Sequence, residues 1–115
     1  MLDTLKWVLL AGIAAIAYMY SMKKGVKKAP DIYVSSTYLR LGDQGEDVKK
    51  LQRALNFLGY IAGPEDGIFG PQTEKAVVDF QMEKQLVPDG RVGPNTMRVL
   101  NTALSKYGGS FKWEN

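Results

Sequence analysis

One eight-residue phrase occurs twice in this chain. Asp66-Gly67-Ile68-Phe69-Gly70-Pro71-Gln72-Thr73 returns 23 residues later as Asp89-Gly90-Arg91-Val92-Gly93-Pro94-Asn95-Thr96. The shared pattern is D-G-x-[FV]-G-P-x-T, and each position has a physical role. Asp-Gly makes a tight turn in which glycine supplies the positive φ. The apolar residue enters the core just ahead of a helix. The second glycine allows an N-cap backbone, and proline is preorganised for the first helical position. Threonine then falls in the first turn, beside backbone N–H groups that have no partner within the helix. The chain is thus committed to two turn-into-helix units.

The helices follow from the apolar spacing. Pro71 to Lys84 places Ala76, Val77 and Phe80 on one face, and Pro94 to about Ser105 does the same with Met97, Leu100 and Leu104. A third helix precedes them. Gly45 can cap it, Glu46 and Asp47 lie in its positive first turn, and Gly59 ends it. Its apolar face is Val48, Leu51, Leu55 and Leu58, and its Leu51-Gln52 pair is echoed by Phe80-Gln81. The expected fold class is all-α: a small three-helix bundle with an internal repeat, plus a single N-terminal transmembrane helix. So small a core is marginal without disulfides or metal. Close packing of Leu41, Leu51, Leu55, Leu58, Tyr60, Phe69, Phe80 and Leu86 is therefore expected.

The 115 residues include no cysteine and no histidine. Disulfides, thiolate metal sites and Ser-His or Cys-His catalysis are excluded. Paired acids such as Glu46-Asp47 and Glu65-Asp66 are better explained by turns and helix starts than by glycoside hydrolysis, which needs two carboxylates across a cleft. The chain reads as non-catalytic, with no cofactor and no metal. Residues 1–38 carry five lysines against two aspartates, residues 39–104 eight basic against nine acidic side chains, and residues 105–115 two lysines against one glutamate. A near-neutral globular part lacks the basic face that nucleic acid requires.

Trp7 to Met22 contains no charged residue. As a helix it would span about 24 Å, somewhat short of a hydrocarbon core of roughly 30 Å. Lys6 and Lys23 can snorkel, Trp7, Tyr18 and Tyr20 suit the interfaces, and small residues around Gly12 leave a face for packing. A membrane anchor over residues 1–22 is the preferred reading. A cleaved signal peptide ending at Ala15-Ile16-Ala17 and a buried soluble helix are the alternatives. Residues 23–38 read as a basic and polar linker in which Ile32-Tyr33-Val34 forms a short strand or packing arm. Residues 39–104 read as the domain and 105–115 as a tail. The tail's Tyr107, Phe111 and Trp113 either pack back on the bundle or dock on a partner.

The stretch LRLGDQGEDVKKLQRALNFLGY, followed by DGIFGPQTEKAVVDFQ and DGRVGPNTMRVLN, resembles the peptidoglycan-binding domain of type 1 over residues 39–101. The resemblance implies a compact three-helix module that binds bacterial cell wall and is usually joined to a wall hydrolase. It carries ligand-binding candidates onto Gln52, Tyr60, Asp66, Gly67, Phe69, Thr73, Gln81, Asp89, Gly90 and Thr96. Turn geometry and packing already account for the glycines and apolar residues. Gln52, Tyr60, Asp66, Gln81 and Asp89 are the members expected to be exposed. The same general fold serves metalloprotease propeptides, so fold alone does not decide the ligand.

Expected partners are peptidoglycan and a lipid membrane, with capsid proteins or a separate cell-wall hydrolase under the alternative readings, and no nucleic acid. The lysines after the anchor create a topological conflict, because the positive-inside rule would put the domain in the cytoplasm. Three resolutions are open: an override by partner or domain, a signal-like anchor inserting against the rule, or a component of a membrane-containing bacteriophage virion that links membrane to capsid or aids wall passage.

Overall fold

Among the described residues, glycine followed by proline starts two of three helices, as the repeated phrase requires. The computed structural model describes residues 28–113, so the anchor read over residues 1–22 lies outside the described residues, as do residues 114–115. The elements are β1 (Asp31–Val34), α1 (Glu46–Phe57), α2 (Pro71–Glu83), α3 (Pro94–Ser105) and β2 (Ser110–Trp113). Gly45, Gly70 and Gly93 occupy the N-cap positions, and Pro71 and Pro94 open their helices. Among the described residues no helix is long and apolar enough to cross a membrane.

The domain is mostly helical, and the all-α expectation is corrected by a two-stranded parallel sheet. Ile32 pairs with Phe111 and Val34 with Trp113 in its register. Both strands lie in segments read above as linker and tail, and Ile32, Val34 and Phe111 are buried. β1 packs on α1 and β2 on α3. The strands come together because Gly109 has no side chain: a Cβ there would collide with the Pro30 carbonyl and with Ala29. Ala29 N–H donates to Tyr107 O at 2.8 Å, so chain entry and the end of α3 are tied directly. The outer edges are partly closed. Asn101 Oδ1 accepts from Phe111 N–H at 2.9 Å, and Lys50 Nζ donates to Tyr33 O at 2.7 Å. Such blocked edges disfavour pairing with a further strand.

The core joins Leu51, Leu55, Phe69, Phe80, Leu100 and Phe111, each no more than 1% exposed. Tyr60 meets Phe80 edge-on at 5.3 Å, within the range where aromatic pairs add to burial. Leu41, expected in the core, is instead 48% exposed. Its segment is pinned by backbone rather than by that side chain: Gly42 N–H donates to Phe69 O and Phe69 N–H donates to Asp43 O. Leu86 is only partly buried.

Asp47 fastens the approach to α1. Its carboxylate accepts from the backbone N–H and the hydroxyl of both Ser35 and Ser36, at 2.7–3.2 Å. Partial burial pushes this carboxyl up, but the bonds from Ser36 and Ser35 outweigh it and hold it below the ordinary value of 3.8. A depressed folded-state pKa contributes stability that is present above the unfolded value and lost as the pH falls through the folded one. Unfolding free energy should therefore decline below roughly pH 4. Asp47→Asn should show a shallower decline in denaturant titrations across that window; an unchanged slope would contradict this role.

Candidate functional site

The two glutamines that the sequence repeats on α1 and α2 reach into the two Asp-Gly turns. Gln52 Nε2 donates to Asp66 Oδ1 (3.1 Å), Ile68 O (3.0 Å) and Thr73 Oγ1 (3.1 Å), while its Oε1 accepts from Gly67 N–H (2.9 Å). The same set occurs a second time. Gln81 Nε2 donates to Asp89 Oδ1 (3.0 Å), Arg91 O (2.8 Å) and Thr96 Oγ1 (3.1 Å), and its Oε1 accepts from Gly90 N–H (2.9 Å). The aspartates close the turns by accepting from Ile68 and Arg91 N–H. Gly67 and Gly90 stand at φ 77° and 75°. At Gly67 an added Cβ would lie 2.8 Å from Gly45 O, so the turn also needs glycine for backbone approach. The Asp66 carboxyl is held below its usual range by Ile68 N–H first and by the Gln52 amide second.

This arrangement corrects the expected exposure. Gln52 and Gln81 are each 1% exposed, and Thr73 and Thr96 are 2% and 6% exposed. Tyr60 is buried too, with its hydroxyl donating to Glu83 Oε2 at 2.6 Å. Phe69 is a core residue, and Gly67 and Gly90 are buried backbone. Asp66 and Asp89 are exposed, with one oxygen of each already engaged by a glutamine. The structure thus joins Gln52, Asp66, Gly67 and Thr73 at one turn and Gln81, Asp89, Gly90 and Thr96 at the other. Tyr60 and Phe69 belong to neither set of hydrogen bonds. The sequence carried a signal for the buried glutamines. Gln52 falls on the stripe of Val48, Leu51 and Leu55, and Gln81 falls beside Val77 and Phe80. A polar residue on an apolar stripe must find partners inside.

The accessible surface near these turns centres on Tyr38, which the sequence reading did not single out. Tyr38 is 46% exposed, and its ring lies 3.1 Å from where a Cβ on Gly93 would stand. Two clefts of about 420 Å³ share it. One is lined by Ser35, Ser36, Asp43 and Glu46 at the start of α1. The other is lined by Leu86, Val87, Arg91, Asn95 and Thr96 at the second turn. Among the described residues no cluster of acids fit to hold a metal ion occurs.

Comparison with known proteins agrees with this layout. The profile of the peptidoglycan binding domain family matches residues 44–100. The chain is 43% identical over 65 residues to the N-acetylmuramoyl-L-alanine amidase CwlM of Mycobacterium tuberculosis, covering 56% of this chain and 16% of that protein. It is 38% identical over 73 residues to a spore cortex-lytic enzyme of Bacillus cereus, covering 64% of this chain and 28% of the enzyme. The alignments therefore span well under a third of these two proteins. The crystal structure of the SleB N-terminal domain superposes with a TM-score of 0.59 at 36% identity, over 62% of this chain and 99% of that domain. With nearly all of that domain covered and the family profile spanning both turns, this chain belongs to the peptidoglycan binding domain family.

Proposed function

We propose that this chain is a non-catalytic module that binds bacterial cell wall while its N-terminal apolar segment holds it at a membrane. The observation that carries the binding half is the match to nearly the whole of the SleB N-terminal domain, against only 16% and 28% of the two named enzymes. The alignable part is the module. The absence of histidine and cysteine from the whole sequence is in keeping with a binder. Trp7 to Met22, with its lysine flanks, supports the anchor. The chain is fastened to the bundle from Ala29 onward, which leaves few residues between that segment and the folded body. Wall and membrane would thereby be held close together.

The full chain in mild detergent should co-sediment with purified sacculi in a saturable manner at micromolar concentration and release no soluble wall fragments. Failure to co-sediment would contradict the binding reading; fragment release would contradict the non-catalytic one.

A further inference from the structure

The two turns share their hydrogen bonds but differ in what covers them. At the first, the chain itself lies against the threonine. Thr73 Oγ1 donates to Ala62 O at 2.9 Å, Ala62 N–H donates to Asn56 Oδ1 at 2.8 Å, and Asn56 Nδ2 donates to Gly63 O at 2.8 Å. Ala62 is 1% exposed, and the Gln72 side chain lies against Gly63. Residues 61–63 are thus held through their backbone, around one small side chain.

At the second turn no segment among the described residues accepts from Thr96 as Ala62 does from Thr73. Gln52 and Asp66 are separated by 14 residues, Gln81 and Asp89 by only 8. α2 ends sooner after its glutamine, on Gln85 at a left-handed φ of 60°. Thr96 accepts from Gln81, yet its own proton finds no acceptor among the described residues although the residue is only 6% exposed. A buried hydroxyl of this kind favours an incoming acceptor. Thr96 is among the residues that line a cleft of about 420 Å³. Asn95, the repeat's counterpart of Gln72, lines it, and Leu86, Tyr38 and Val87 (76% exposed) form apolar walls. Arg91 stands at the rim, and its guanidinium has no partner among the described residues. Asp89 also lines the cleft, with Oδ1 engaged by Gln81 and Arg91 N–H.

We propose that this cleft binds a short alanyl peptide with a free carboxylate, in the position beside Thr96 that residues 61–63 take beside Thr73. The Thr96 hydroxyl donates to a peptide carbonyl, the small side chain meets Leu86 and Tyr38, and Arg91 pairs with the carboxylate. The assignment rests on the wall-binding reading and specifies its ligand as the peptide part of the wall rather than the sugar.

The test uses the full chain in detergent micelles, titrated with N-acetyl-alanyl-alanine in its L,L and D,D forms and with the C-terminal amide. Amide resonances of residues 86–96 should move, and those around Thr73 should not. Thr96→Val and Arg91→Ala should each weaken binding about tenfold, the amide should bind less well than the acid, and Thr96→Ser should restore affinity. Thr73→Val, which removes the matching hydroxyl at the covered turn, should cost stability and leave affinity within about twofold. Equal affinity in the Thr96 and Arg91 variants would overturn the assignment, as would equal losses in Thr73→Val and Thr96→Val. Should Thr96→Val not fold, Arg91→Ala and the acid–amide comparison still decide. Sacculus binding without a dipeptide response overturns this assignment alone, whereas a chain that does not bind sacculi overturns the wall-binding reading itself.

Discussion

Gln52→Leu should lower the unfolding free energy by about 3–4 kcal/mol, and Gln81→Leu by a similar amount. Leucine suits the apolar stripe on which both glutamines lie, so neither a cavity nor lost helix propensity is the cause. The loss comes from the partners. Gly67 N–H loses its acceptor, and Asp66 Oδ1, Ile68 O and Thr73 Oγ1 lose a donor. The buried Gly67 N–H, left without an acceptor, costs on the order of 1–3 kcal/mol, and each of the three bonds lost from Gln52 Nε2 about 0.5–1.5 kcal/mol. A chain of this size has a total stability of roughly 5–10 kcal/mol. Such variants should sit near the edge of folding, read as a large drop in urea midpoint. A shift worth less than about 1 kcal/mol would mean that the turns hold without the glutamines.

Phe111→Ala should be comparably severe, at about 3–5 kcal/mol. Phe111 is 1% exposed, it pairs with Ile32, and its backbone N–H is held by Asn101. Truncating it opens the space between sheet and helices and loosens the strand that ties chain entry to the end of α3. Removing the chain from Ser110 onward should have the same consequence. Denaturant melts of both variants would check this. Stability within about 0.5 kcal/mol of the parent would show the tail to be an appendage rather than part of the fold.

The helices were legible because their starts are chemically explicit. Gly-Pro at 70–71 and 93–94, Glu46-Asp47 behind Gly45, and an apolar residue every third or fourth position leave little choice. The sheet was legible only in part: Ile32-Tyr33-Val34 read as a short strand or packing arm and the tail aromatics as packing back, but the pairing of the two segments did not show. Each strand has four residues, and the pairing of Asp31 with Ser110 bridges almost the whole length of the domain, so no local periodicity announces it. Gly109 matters through contact with Pro30 and Ala29, which no neighbour in sequence reveals. At the site, the turns and helix caps could be read from D-G-x-[FV]-G-P-x-T. The destination of the glutamines could not, since Gln52 reaches Thr73 across 21 residues and Gln81 reaches Thr96 across 15. The repeat concealed a difference as well. Identical motif residues surround a filled position at Ala62 and an open one at Thr96, and the run from glutamine to aspartate, 14 residues against 8, differs through both the helix end and the loop.

If the repeated polar residues hold the fold while the uncovered second turn meets the wall, titrating the isotopically labelled full chain with soluble wall fragments separates the two roles. Resonances of Tyr38 and of residues 86–96 should respond together, while those of Gln52, Asp66 and Thr73 stay unmoved. A response centred on the first turn, or none from a chain that still binds intact sacculi, would rule this division of roles out.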